Sequence, residues 1–359
     1  MKVIWALCVC CLCLLLTPAI ASEDGDTPHA TNSRVLFVSP GFATESFWHD
    51  VDLYAQAAAH SLGLQLEIIH GDRDRLLTRQ KIAERMQQQP EPDFVILVNE
   101  KGIGLTLLES INSPHIKVTF VLNDLSPLDK RTVYSNPKWT HRLLPGVFAD
   151  NYHIGYLSAQ NLFIEGGEKA GDFLLISGDK NTPASINREA GATSFIMQQD
   201  SLAIAQRVHG DWNESTAYQQ TKVLIKRHDN IRYIWTANDH MAFGAIAALK
   251  EANKAIGKEV FVGTVNTSNQ VLDALAKGEI SSLAGGHFTA VGLALVKIHY
   301  YLHNESWPQR TKYNLFRPIS YPSEFYDTLK VKDWQQIDFR DIDIRANPID
   351  PFARKEELK

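Results

Sequence analysis

Residues 231–250, IRYIWTANDHMAFGAIAALK, carry a pattern that recurs along the chain: an apolar run, a polar turn, then apolar positions at helical spacing. Ile231, Tyr233, Ile234 and Trp235 read as a buried strand, and Met241, Ala245, Ala248 and Leu249 recur as one face of a helix. Asn238 and Asp239 fall between them, at the carboxyl end of the strand. In open α/β sheets that edge collects ligands, because helix N-termini and freed backbone amides converge there. The same residue types cap helices by accepting an orphan amide hydrogen, so the pair alone leaves both roles open.

The alternation extends in both directions. Strands are expected over 35–40, 64–70, 93–99 and 115–124, with helices over 47–62 and 76–88 between them. It restarts with strands over 146–151, 172–177, 205–210, 259–266 and 280–288, separated by helices over 153–165, 188–199, 217–226 and 270–276 and followed by one over 290–302. Strands alternating with helices imply parallel, doubly wound sheets. The two successive αβ runs are similar in size but share no close sequence repeat. Between them, 127–145 reads as a long loop carrying Lys130, Arg131, Tyr134, Lys138, Trp139 and Arg142, and loops of that length usually have a task.

The first residues change the compartment. Lys2 precedes an apolar run from Val3 to Leu16, and Ala19-x-Ala21 follows as a cleavage pattern, so 1–21 reads as a signal peptide removed before Ser22. The run falls short of the roughly 20 residues that span a bilayer. Residues 22–33 are polar and read as a flexible leader. The expectation is a soluble protein of the periplasm. All four cysteines, Cys8, Cys10, Cys11 and Cys13, lie in the segment to be removed, which leaves no thiol for disulfides or nucleophilic chemistry. None of them has both the small residues before it and the polar chain after it that lipidation requires.

With 36 basic and 41 acidic residues the chain carries a formal charge of −5, which argues against nucleic acid and anionic membranes as partners. At 359 residues it exceeds the size at which a single core stops growing, so two lobes are expected.

Enzyme and metal readings find little support. Gly102-x-Gly104 has Leu107 where a dinucleotide fingerprint needs a third glycine. No Gly-x-Ser-x-Gly elbow is present. His299 and His303 stand four apart on one helix face without a third ligand in the repeat, so they read as surface histidines. Asp179, Lys180 and Asn181 follow a strand, but a turn of that composition needs no function. A binding protein without cofactor or metal is the expectation.

Six stretches in order carry a resemblance: SPGFATESFW (39–48), VLND (121–124), GVFADNYHIG (146–155), INREAGATSF (186–195), TANDHMAFGAIAALKEAN (236–253) and VGTVNTSNQVLDALAKGEI (262–280). Across about 34–321 the chain resembles the type I periplasmic binding proteins, the ribose and galactose receptor group, and is similar in the same places to the autoinducer-2 receptors of vibrios. The resemblance implies an α/β fold of two doubly wound parallel-sheet lobes joined by three hinge crossings, near Ala149, Gly286 and Ile319. The N-terminal lobe would be 34–148 plus 288–317, and the C-terminal lobe 149–287 plus 318–359.

The family pattern also implies a ligand site. Phe47 and Trp48 stand where an aromatic face stacks on a sugar ring. Arg188 matches a ligand-gripping arginine whose planar fork donates to two oxygens; the competing reading is an ion pair with Glu189 or a neighbour. Asn238 offers a donor and an acceptor, Asn123 and Asp124 are candidates on the same ground, and Asp150 is placed at the hinge. Three departures stand out. Asn266, in Val262-Gly263-Thr264-Val265-Asn266, replaces the usual aspartate, Gly286-His287 replaces a hinge glutamine and makes His287 a candidate, and Glu45 replaces a small or amide residue. The second arginine of the autoinducer-2 receptor pocket has no equivalent in this chain, which makes a doubly gripped anion an unexpected ligand. Glu45 opposes an anionic ligand, so the expected ligand is a neutral monosaccharide or related polyol. The expected function is delivery of that ligand, by a monomer, to an ABC-type import permease. The alternative is control of a transmembrane sensor, either a histidine kinase or a cyclic-dinucleotide enzyme. Beyond Arg317, the residues Tyr321, Phe325, Tyr326 and Trp334 are spaced like anchors, for packing against the second lobe or for docking to a membrane partner.

Overall fold

Phe94-Val95-Ile96-Leu97 is buried at every position, which a strand requires only when both faces of its sheet are covered. This is β3 of the first of two six-stranded sheets in the computed structural model, which describes residues 32–304, 306–346 and 350–352. The expected signal peptide, and all of the expected leader except Asn32 and Ser33, lie outside the described residues.

The first sheet has the order β11-β5-β4-β3-β1-β2. It is built from β1 (Arg34–Ser39), β2 (Gln65–His70), β3 (Phe94–Leu97), β4 (Lys117–Val121), β5 (Leu143–Ala149) and β11 (Lys312–Tyr313). Its helices are α1 (Ser46–Leu62), α2 (Arg75–Arg85), α3 (Gly104–Glu109), α4 (Pro127–Tyr134) and α10 (Ala290–Asn304). The second sheet, β12-β10-β9-β8-β6-β7, consists of β6 (Gly171–Ser177), β7 (Leu202–His209), β8 (Ile231–Thr236), β9 (Phe261–Val265), β10 (Ser282–Gly285) and β12 (Arg317–Pro318). Its helices are α5 (Asn151–Glu165), α6 (Pro183–Ile196), α7 (Glu214–Arg227), α8 (Asp239–Glu251), α9 (Asn269–Ala276) and α11 (Glu324–Val331). The named strands pair in parallel except β12, which runs antiparallel to β10.

Helix starts follow local chemistry. Asp74, Ser126, Asp150, Asn213, Asn238, Ser268 and Ser323 each accept an amide hydrogen in the first turn of the helix they precede. Ser126 with Pro127 at the first helical position explains why part of 127–145 is α4 rather than loop. Val133 is the one buried residue of that helix, so periodicity did not reveal it. Arg142 then turns inward: its Nε donates to the Ile116 carbonyl at 2.9 Å and its guanidinium lies 4.4 Å from the Trp139 ring.

The chain passes between the sheets after β5, after β10, and between β11 and β12. The third passage therefore falls between Tyr313 and Arg317, ahead of the expected Ile319. The tail does not stay on the second lobe either. Its α11 lies beside α9, with Lys330 Nζ 2.7 Å from Asp273. Beyond it, Trp334, Phe339 and Phe352 set their rings 5.7, 5.1 and 6.4 Å from that of Tyr54 on α1, and the Tyr54 hydroxyl donates to the Pro351 carbonyl at 2.6 Å. Lys332 reaches Asp50 of α1 at 2.5 Å. Apolar area decides this path: Trp334, Phe339 and Phe352 are all buried there.

Candidate functional site

The strand ends of both sheets face one cleft, and each turn after a strand supplies wall residues. From the first sheet come Glu45, Phe47 and Trp48 after β1, Arg73 after β2, Glu100 after β3, and Leu122 and Asn123 after β4. Asn151 comes from the start of α5, where the chain leaves β5 of the first sheet, and from the second sheet come Thr182, Ala184 and Arg188 after β6, Trp212 after β7, Asn238 after β8, Asn266 after β9 and His287 after β10. The cleft encloses about 500 Å³ including its mouth. Four of its wall residues, Arg73, Leu122, Trp212 and Asn266, hold positive φ values of 61°, 63°, 62° and 115°. Backbone strain of this kind concentrates where side-chain direction matters more than stability.

Arg188 is buried at 4% exposure, and no carboxylate among the described residues is in contact with it. Its Nε donates to Asn151 Oδ1 at 2.8 Å, Nη1 to the Ala237 carbonyl at 2.8 Å, and Nη2 to His287 Nε2 at 3.0 Å. The last contact requires a lone pair on Nε2, so the His287 proton sits on Nδ1. Burial, reinforced by Arg188, holds the His287 pKa well below 6.5, and the ring is neutral. It lies between Phe47 and Phe316, with centroids at 4.6 and 4.5 Å. Burial also pushes the Arg188 pKa down to about 10, with Glu100 opposing. The helix pair is what brings Arg188 to Asn151: a Cβ on Gly155 of α5 would overlap the Arg188 carbonyl, and one on Gly191 of α6 would overlap that of Tyr152.

Arg73 forms the second polar cluster. It grips Glu45 with Nε at 3.0 Å and with Nη2, and donates through Nη1 to Glu100 at 2.9 Å. Burial works against its charge, but Glu100 and Glu45 outweigh burial and hold its pKa above the ordinary value. Burial raises the Glu100 pKa, Arg73 opposing. Two guanidiniums thus face two carboxylates and a neutral imidazole, and the cleft walls are charge-balanced. Glu45 is paired with Arg73 rather than left to oppose an anion alone, and against expectation a second arginine stands in the cleft wall, from a turn outside the matched stretches.

Asn238 caps a helix and stands in the cleft wall. Its Oδ1 caps α8 at Met241 N, 3.0 Å, and its side chain also lines the cleft. Asn266 lines it too, oriented by its Nδ2 donating to Asp239 Oδ1 at 2.8 Å. Asn123 lines it while its Oδ1 accepts the Ala184 amide at 3.0 Å. Asp124 is the correction: its carboxylate pairs with Lys130 and accepts the Leu125 amide at 2.8 Å, outside the cleft wall. Asp150 caps α5 at His153 N, 3.0 Å, where the chain first passes between sheets. Arg188 does not pair with Glu189, which instead accepts from Ser177 Oγ. Sequence reading missed Arg73, Glu100, Asn151, Thr182 and Trp212. Each follows a strand end by a few residues, and that position was the available signal. The His299 and His303 rings lie 4.2 Å apart, and no group of three metal-ligating side chains occurs among the described residues.

The model of the periplasmic binding protein domain matches residues 35–304. The chain belongs to the periplasmic binding protein family. Among members, the galactofuranose-binding protein YtfQ of Escherichia coli (strain K12) is 23% identical over 312 residues, 85% of this chain and 94% of that protein. The D-allose-binding periplasmic protein of the same organism is 25% identical over 222 residues, 61% of this chain and 68% of that one. A solved periplasmic sugar-binding protein from Pseudomonas fluorescens is 30% identical, with a TM-score of 0.78 over 88% of this chain and 96% of that chain. The periplasmic binding protein fold, two mostly parallel sheets with flanking helices, accounts for the cleft: three passages of the chain leave the two sets of strand ends facing each other. The three proteins named are sugar-binding proteins, and the matched domain is a periplasmic binding protein domain.

Proposed function

We propose that the protein is a periplasmic solute receptor that closes on a neutral monosaccharide, a furanose or related polyol, and presents it to an ABC-type import permease. The observation that carries this reading is the charge balance of the cleft, with Arg73 held between Glu45 and Glu100 and Arg188 facing the neutral His287. A charged ligand would upset that balance in a desolvated site, and an apolar one would leave its polar groups unpaired. A sugar meets both requirements: its hydroxyls take the remaining donors of Arg188 and the amides of Asn123, Asn238 and Asn266, while its C–H face lies on Phe47 and Trp48. The galactofuranose and allose ligands named for the relatives support the class. Export by the segment 1–21 and action as a monomer belong to the same reading.

A thermal-shift screen of neutral sugars, polyols, amino acids, amines and carboxylates tests it. Neutral sugars should raise the unfolding temperature, since a ligand specific to the folded state stabilises by mass action. A response confined to amines or carboxylates would overturn the reading.

A further inference from the structure

We propose that the cleft opens into an outer subsite for a second neutral sugar, so that the ligands include glycosides and short oligosaccharides whose terminal ring occupies the inner cleft. The proposal rests on the sugar-binding reading above.

An outer cavity of about 1590 Å³, its open mouth included, shares Glu45, Arg73 and Trp212 with the inner cleft. Both lobes wall it. Trp212 is the partition, its indole seated against Gly178, where any Cβ would overlap the ring. The same side chain therefore borders both spaces, as a ring shared by two adjoining sugars would require.

The walls carry unused binding groups. Phe42, in the turn between β1 and α1, is 46% exposed and makes no ring contact with another aromatic side chain among the described residues. An accessible phenyl ring beside polar side chains is a surface on which the C–H face of a sugar stacks. Thr44 on the first lobe and Lys180 and Asp211 on the second line the same cavity, and none makes a hydrogen bond or ion pair with the described residues. Together they present a hydroxyl, an ammonium and a carboxylate to whatever enters. Three cations (Arg73, Lys101, Lys180) stand among four carboxylates (Glu45, Asp179, Asp211, Glu214), a near balance that again suits a neutral hydroxylated group.

Calorimetry on the full mature chain decides it, using D-galactose, L-arabinose, D-ribose and D-fucose and the 4-nitrophenyl glycosides of each in both anomers. For any parent sugar that binds, at least one glycoside should bind with equal or higher affinity. Phe42→Ala should weaken that glycoside about tenfold, the scale of one aromatic stacking partner, while leaving the parent sugar unchanged. Glycosides all bound at least a hundredfold more weakly than a parent that binds would overturn the outer subsite and leave the sugar reading intact. A Phe42→Ala effect that is equal on both, or absent from both, would also overturn it. Failure of every sugar and glycoside would remove the sugar reading and the subsite together.

Discussion

Asn123 Oδ1 accepts the backbone amide of Ala184 at 3.0 Å from across the cleft. Ala184 lies in the first turn of α6, whose own N-cap residue, Thr182, makes no capping bond; its hydroxyl instead accepts the Lys101 amide at 3.3 Å. An orphan donor of a second-lobe helix is thus satisfied by a first-lobe side chain, a bond that exists only when the lobes meet. Loss of a cap costs about 1 kcal/mol, here confined to the closed state. Asn123→Ala should therefore lower ligand affinity about fivefold or more in calorimetry, the lost contact to the ligand adding to the lost cap.

Removing Arg73 should do more harm than altering either of its partners. Arg73→Ala leaves Glu45 and Glu100 facing each other at low exposure, and breaking a buried ion pair from one side costs about 3 kcal/mol. Urea denaturation should register a loss of that order. Glu45→Gln should cost clearly less and keep most affinity for a neutral sugar, because its amide oxygen still accepts from Arg73.

Arg188→Lys should abolish tight binding although charge is conserved. One ammonium cannot replace the fork that reaches Asn151, Ala237 and His287 in one plane. A loss of about 2 kcal/mol, roughly 30-fold in Kd, is expected by calorimetry.

His287 should make stability fall in mild acid. Its folded pKa lies well below 6.5, so below that pH the unfolded chain binds a proton that the folded chain refuses, and stability drops as pH falls. His299, also lowered chiefly by burial, acts in the same direction, whereas Asp52, pushed up to about 7 by burial and 3.1 Å from His70, takes up a proton in the folded chain and acts against them. His287→Gln should therefore reduce, but not remove, the loss of unfolding free energy between pH 7 and pH 5 in urea titrations.

Strand ends were the most legible part of the site, because a buried apolar run fixes where polar residues first reach solvent. On that basis Asn238 is placed at the cleft edge, while Glu45, Phe47, Trp48, Asn123, Arg188, Asn266 and His287, named by the family resemblance, line the same cleft. Asp124 satisfies the same rule, yet one position past Asn123 its side chain turns out to Lys130. Arg73 and Glu100 escaped because ion pairing between separate turns, 27 residues apart, leaves no local pattern. Helix α4 hid for a different reason: only Val133 is buried on it, so its face carries no stripe. The tail aromatics read as packing anchors, but their partner Tyr54 lies far back in the chain, and periodicity carries no information about which surface an anchor meets.

That tail has a mechanical consequence. It holds α9 of one lobe through Lys330 and α1 of the other through Lys332 and the rings around Tyr54. A hinge built from three backbone passages alone could swing until its strands resist. With a fourth link fastened to both moving bodies, wide excursions must first peel one grip away. Pairs of distance labels on the two lobes should accordingly report a narrow spread of interlobe separations, broadened when Trp334 and Lys332 are both replaced by alanine.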